Sequence, residues 1–325
     1  MNSIEIVSIG KAIPDTVITN DRFMELAGVD DEWIIEHCGI KERRVLTEGN
    51  TSDLATTAAM DALNKAKVDP MDIDLIIVST CTPDSDTPST ACLVQKKIGA
   101  DNAVCFDIKA ACSGFIYALS AADKFLRAGS YKNALVIGAE MLSKATDWHE
   151  KKSGILFGDG AGAAFVVPCE KGGILAEELG SIGKKSDVLV TGVMPGANAF
   201  NDVEPVKQED MYIRMDGLAV FGFATKKLRS SIENVLNETN LTLDDIKYIV
   251  PHQANMRIIE SVAKRLKTTM DKFYINIERF GNTSSASIGI ALTELEEQGL
   301  LQKGDKIIIS GFGGGLTWGT MLIEW

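Results

Sequence analysis

The chain repeats its own organisation, and that duplication limits what its 325 residues can fold into more than any other feature. In the first half, a helical stretch over 55–66 leads through Asp72-Ile73-Asp74 into the apolar run Leu75-Ile76-Ile77-Val78. In the second, a helical stretch over 225–236 leads through Asp244-Asp245-Ile246-Lys247 into Tyr248-Ile249-Val250. Ile76 and Ile249 stand 173 positions apart. A second apolar segment follows in each half, Val104–Ile108 and Phe273–Ile277, with Ile108 and Ile277 offset by 169. Each half then turns through small residues into another helix: Ala110-Ala111-Cys112-Ser113-Gly114 in one, Gly281-Asn282-Thr283-Ser284-Ser285 in the other. Those helices stop at Gly129 and Gly299, as helix C-termini commonly do. Third strands are expected at Ala134–Gly138 and Lys306–Ser310.

Strands written as unbroken apolar runs belong to sheets covered on both faces. The expectation is an α/β protein of two similar halves, residues 1–170 and 171–325, packed as a pseudo-dimer in five layers, α/β/α/β/α. The helix after Cys112 and the helix after Asn282 would lie against each other at the centre. Loops at equivalent strand ends would then open on one shared cleft.

Charge removes some partners. With 33 basic against 45 acidic residues the net charge is −12, which opposes nucleic acid as the main ligand. No run approaches 18 apolar residues and no basic-then-apolar leader opens the sequence, so neither a membrane span nor a secretion signal is expected, and the protein reads as cytoplasmic. The six cysteines contain no Cys-x-x-Cys pair and there are only three histidines, so no metal site is visible and the cysteines are expected as free thiols.

Three residues can carry chemistry. Cys112 sits between a strand and a helix whose apolar positions, Phe115, Leu119, Ala122 and Leu126, follow helical spacing. A thiol at a helix N-terminus feels the macrodipole, which favours thiolate; the plainer alternative is a buried thiol in a tight turn. His252, in Pro251-His252-Gln253-Ala254-Asn255, ends the equivalent strand of the second half, whereas His37 and His149 stand among charged neighbours. A structural histidine is its plainer reading, and a helix cap is that of Asn282. Together they offer a nucleophile and two hydrogen-bond donors suited to holding a thioester oxygen as it becomes an enolate. The run Gly311-Phe312-Gly313-Gly314-Gly315 lacks the Lys-Ser/Thr of a phosphate loop and better suits a backbone N–H aimed at an oxyanion.

Over essentially its whole length the chain resembles the β-ketoacyl-[acyl-carrier-protein] synthase III family of condensing enzymes, which have the thiolase fold. The resemblance rests on Asp31-Glu32-Trp33-Ile34 with Gly39-Ile40 and Arg43, on Ala111-Cys112-Ser113-Gly114-Phe115, and on Phe157-Gly158-Asp159-Gly160-Ala161-Gly162-Ala163. It rests equally on Pro251-His252-Gln253-Ala254-Asn255, on Gly281-Asn282-Thr283-Ser284, and on Phe312-Gly313-Gly314-Gly315 with Thr317-Trp318-Gly319. It implies a ping-pong reaction in which an acyl group passes from acyl-CoA to Cys112, with the N–H groups of Cys112 and Gly314 as oxyanion hole. Malonyl on acyl carrier protein then loses CO₂, and His252 and Asn282 hold the enolate that attacks the Cys112 thioester. It further implies a homodimer, no cofactor and no metal, and a CoA site at Trp33, His37 and Lys151. Carrier docking is implied along Gln253, Ala254, Asn255, Met256, Arg257, Lys264 and Arg265.

Four positions depart from the family pattern. His37 and Lys151 stand where arginines are usual, and Gly222 stands where a basic residue often follows Val-Phe. Thr87 occupies a position where some relatives carry a bulky aromatic reaching into the partner's acyl pocket, so a roomier pocket is expected. Two other readings remain at this stage. One is a related synthase of specialised quinolone or polyketide products. The other is a papain-like thiol hydrolase, disfavoured by the duplication and by the missing Cys-Gly-Ser-Cys-Trp context.

Overall fold

The computed structural model describes residues 3–192, 196–197, 199–204 and 206–325. Two sheets carry the same strand order. In the first, Ser3–Ala12 pairs antiparallel with Asp159–Cys169, which pairs antiparallel with Ala134–Met141. Leu75–Ser79 then joins parallel, and Val104–Ile108 closes the sheet on its far side. In the second, Gly173–Ser181, Thr317–Glu324, Lys306–Gly313 and Tyr248–Pro251 repeat that series with the same senses. The first sheet's last-paired long strand ends at Cys169 and the second sheet begins at Gly173.

The fifth strand of the second half is cut short. The sequence predicts a strand over Phe273–Ile277, yet only the bridge of Phe273 to Ile249 forms, and Ile277–Phe280 is already a short helix. The reason is local. Asn276 gives its backbone N–H to the Gln253 side chain and its amide to buried Glu294, which bends the chain off the sheet edge.

Side chains alternate along each strand, so each strand serves two cores. Leu75 and Ile77 face a central core with Ile307 and Ile309, while Ile76 and Val78 face outward. Between the sheets lie the helices Gly114–Arg127 and Ala286–Glu297, contributing Phe115, Leu119, Ile288 and Leu292 to the central core. Helix Thr51–Ala66 covers the first sheet's outer face, and helices Gly217–Thr239 and Met256–Leu266 cover that of the second. The five expected layers are present. Their close approach depends on glycine: a Cβ on Gly162 of the first sheet would stand 2.6 Å from the backbone of Gly289 in the central helix.

Candidate active site

Cys112, the candidate nucleophile, sits in a strained turn. After strand Val104–Ile108 the chain enters a short 3-10 turn, Ala111–Ser113, with Ala111 at φ +47°, and helix Gly114–Arg127 starts at once. A left-handed alanine costs about 1–2 kcal/mol and persists only where its surroundings hold it. Ser113 Oγ donates to the Ala110 carbonyl at 2.7 Å and lies 2.8 Å from the Thr317 hydroxyl. The glycine strand presses in from the other half, where a Cβ on Gly313 would stand 2.5 Å from the Cys112 nitrogen.

Two polar side chains come from the second half. The strand Tyr248–Pro251 runs out into His252, whose N–H donates to the Ser310 carbonyl at 2.7 Å. Its ring packs edge-on to Phe312, centroids 5.4 Å apart, and Nδ1 lies 2.8 Å from Ser287 Oγ. Asn282 is clamped by its backbone, donating to the Leu156 carbonyl at 2.8 Å and accepting from Gly158 at 3.0 Å. Its Oδ1 accepts the Ser284 N–H at 2.9 Å, which leaves the Nδ2 amino end as the donor Asn282 has to offer. One cavity of about 170 Å³ is lined by Cys112, His252, Asn282 and Gly314 together, with Ala111, Ser284, Leu142, Phe157, Leu189, Ile213 and Phe221 among its walls.

Burial dominates the electrostatics. It pushes the Cys112 thiol up to about 12, against the opposing help of the Ser284 hydroxyl and the residue's own N–H. Desolvation thus opposes the thiolate that a helix terminus favours. Burial also takes His252 down to about 3, so its ring is neutral across the working range.

Sequence reasoning missed a further residue here. Glu140, completely buried at the end of strand Ala134–Met141, accepts from Thr82 Oγ1 (2.7 Å), Cys81 N (3.0 Å), Ser284 Oγ (3.0 Å) and Ser285 Oγ (2.9 Å). Desolvation raises its pKa despite these donors. An acid closing an otherwise apolar run, Val136-Ile137-Gly138-Ala139-Glu140, was the available signal.

A second, wider space of about 790 Å³ opens outside the cavity and shares Leu156, Ile213, Met215, Gly217 and Asn255 with it. Trp33 and His37 line this vestibule, stacked with centroids 3.8 Å apart. Lys151 is exposed but does not line it; its neighbour Lys152 does, along with Arg214, which the sequence reading passed over. Thr87 is exposed and lines neither the cavity nor the vestibule.

On the helix after His252, Arg257, Lys264 and Arg265 are exposed while Ile258, Ile259, Val262 and Leu266 are buried. At the start of the expected carrier surface two residues turn inward. Gln253 is buried, donating to the Pro251 and Tyr274 carbonyls, and Ala254 is a buried wall of the cavity. Neither shares the exposed outer face of Arg257, Lys264 and Arg265. Asn255 caps the helix through the Arg257 N–H and holds the His37 carbonyl, and Met256 packs against Gly39.

Comparison with known proteins identifies the family. The family model described as 3-oxoacyl-[acyl-carrier-protein (ACP)] synthase III matches residues 106–183, and its C-terminal counterpart matches 236–325. The β-ketoacyl-[acyl-carrier-protein] synthase III of Clostridium acetobutylicum is 48% identical over 325 residues, covering 100% of this chain and 99% of the relative. The crystal structure of 3-oxoacyl-[acyl-carrier-protein] synthase III from Aquifex aeolicus superposes with a TM-score of 0.92 at 41% identity, covering 99% of this chain and 100% of that one. The priming β-ketosynthase of the R1128 polyketide pathway superposes at 0.91 with 32% identity, covering 98% and 95%. With this likeness over its full length, the chain belongs to the β-ketoacyl-[acyl-carrier-protein] synthase III family and carries that family's thiolase-like fold.

Proposed function

We propose that the protein condenses an acyl-CoA primer with malonyl-[acyl-carrier protein], releasing CO₂ and 3-oxoacyl-[acyl-carrier protein], and so initiates type II fatty-acid synthesis. The observation that carries this reading is the convergence of Cys112, His252 and Asn282, from opposite halves, on one cavity behind a larger vestibule. In the first half-reaction the Cys112 sulfur adds to the acyl-CoA carbonyl, whose oxygen is held by the N–H groups of Cys112 and Gly314. The CoA sulfur leaves and takes up the thiol's proton. In the second, the malonyl C–C bond breaks and its electron pair moves into an enolate held by His252 Nε2–H and Asn282 Nδ2–H. The enolate carbon attacks the Cys112 thioester, a new C–C bond forms, and the sulfur departs to be reprotonated. No step calls on a metal or a redox cofactor.

The vestibule suits CoA: the Trp33–His37 stack offers a flat face for a base, and Lys152 and Arg214 offer charge for phosphates. The exposed Arg257, Lys264 and Arg265 suit an acidic carrier protein. A homodimer is supported by strand Val104–Ile108, which among the described residues pairs on one side only and exposes Val104, while Phe125, packed on Phe106 of the same strand, is also exposed. Among the described residues no helix is long and apolar enough to cross a membrane. The likeness to a priming ketosynthase of a polyketide pathway favours a second reading, the same chemistry with a different primer.

One experiment tests both. The protein is incubated with acetyl-, butyryl- and branched acyl-CoAs, the mass added at Cys112 is read, and malonyl-carrier is then supplied. Acylation followed by CO₂ release and loss of the added mass supports condensation. Free acid released without malonyl would overturn it in favour of hydrolysis, and the primer that loads fastest separates the two pathways.

A further inference from the structure

The proposed enolate hole needs two donors, and the structure treats them unequally. Asn282 is oriented by a bond that leaves no choice, because the Ser284 backbone N–H can only donate to Oδ1 at 2.9 Å, which turns Nδ2 outward. His252 is different. A neutral imidazole carries one proton, and which nitrogen holds it depends on the partner of the other. Among the described residues Ser287 is the one side chain hydrogen-bonded to the ring, at 2.8 Å from Nδ1.

Ser287 has one proton and two places to send it. It can donate to His252 Nδ1, or to the Ser284 carbonyl at 2.9 Å. In the second case Nδ1 must carry the ring proton and Nε2 presents a lone pair, which would repel an enolate oxygen. In the first case Nδ1 accepts and Nε2–H is presented instead. The Ser284 carbonyl does not need the hydroxyl, since it already accepts the Ser287 N–H at 3.2 Å. The Gln253 N–H, 3.4 Å from Ser287 Oγ, approaches a lone pair of that oxygen and leaves its proton free to turn to the ring.

We infer that Ser287 is a positioning residue that sets the tautomer of His252, giving its hydroxyl proton to Nδ1 so that Nε2–H faces the cavity. The inference rests on the condensing function proposed above. One turn, 282–287, then fixes the polarity of both donors, one through a backbone N–H and the other through a side-chain hydroxyl. Because burial keeps the ring neutral, a single misplaced proton converts the donor into an acceptor.

The test uses the full-length protein carrying ¹⁵N-labelled histidine. There are three histidines, and the signals lost in His252→Asn identify the one that matters. The wild type is expected to show Nε2 protonated and Nδ1 bare. Ser287→Ala is expected to lose that single pattern and to slow CO₂ release from malonyl-carrier roughly tenfold to a hundredfold. Acyl loading of Cys112, which does not use the enolate hole, should stay within about twofold, and Ser287→Thr, which keeps the hydroxyl, should restore both signals and rate. A wild-type ring protonated at Nδ1, or an alanine variant with unchanged signals and rate, would overturn the inference. Should the alanine variant not fold, the wild-type nitrogen pattern alone decides. Failure of the function itself reads differently: the wild type then releases no CO₂ from malonyl-carrier, whatever its tautomer.

Discussion

Gly313→Ala is the most direct probe of how the two halves meet. An added Cβ would stand 2.5 Å from the Cys112 nitrogen and 2.8 Å from Ala111 Cβ, whereas ordinary contact begins at 3.4 Å. Neither neighbour is the loose end of a long side chain; both belong to the strained turn that aims the nucleophile. Restoring contact requires about 1 Å of movement between Cys112 and the glycine strand, and a misplacement of that size costs about a hundredfold in rate. Overpacking should also cost about 1–3 kcal/mol of stability. The assay is single-turnover acylation of Cys112 read by mass, beside a thermal melt that establishes folding. A folded variant acylated within threefold of wild type would refute the reasoning, because it would mean that the position of the Cys112 N–H does not govern the first half-reaction.

Gly183→Ala serves as the matching control: its added Cβ meets nothing within 4 Å, so stability should rise by roughly 0.4–1 kcal/mol in urea melts with activity unchanged. The buried His252 predicts a pH dependence of stability. Its folded value of about 3 lies below the ordinary 6.5, so between those values the unfolded chain holds a proton that the folded chain refuses, and stability falls as pH drops below 6.5. From pH 6.5 to 5 this amounts to about 2 kcal/mol, which His252→Asn should lack; equal pH dependence of the two urea midpoints would count against it. Reversing Arg257 and Lys264 to glutamate should raise KM for malonyl-carrier about tenfold or more while leaving acyl-CoA loading of Cys112 alone; an unchanged KM would move the docking face elsewhere.

Much of this was legible in the sequence because burial on both faces writes itself as unbroken apolar runs, and because a duplication repeats the signal. Ile76 and Ile249, and Cys112 and Asn282 at equivalent turns, mark the two halves and the cleft without coordinates. What escaped reading depends on side-chain direction. Gln253 looks like a surface residue at a helix start, yet it turns inward to satisfy two carbonyls. The Phe273–Ile277 segment has strand composition, but tertiary bonds at Asn276 override it. Glu140 closes an apolar run, which marks it as unusual, but its partners and those of Ser287 lie 145 and 35 positions away and cannot be read locally. The burial that raises the Cys112 thiol is likewise hidden from a local reading, since helix position is local and desolvation is not.

The duplication also gives the site two matching turns. Ala111 and Ser284 are offset by the same 173 positions as Ile76 and Ile249, and both hold left-handed backbone, φ +47° and +48°. The fold thus builds the same strained elbow twice, at about 1–2 kcal/mol each, and then uses the two differently. In the first elbow the next residue is Cys112, whose sulfur lines the cavity. In the second the equivalent residue is Ser285, whose hydroxyl lies 2.9 Å from Glu140 Oε1 and 3.0 Å from the Ser79 carbonyl of the opposite sheet. The second elbow is therefore tied down rather than exposed, with Glu140 gathering Ser284 and Ser285 and holding the strain in place. Asn282 lies before that elbow and Ser287 behind it, so the bonds that pin the elbow also support the two side chains that the proposed enolate hole depends on. On the proposed function the two turns divide the work: one presents the thiol to the cavity, and the other, pinned by Glu140, carries the residues that orient the enolate's donors.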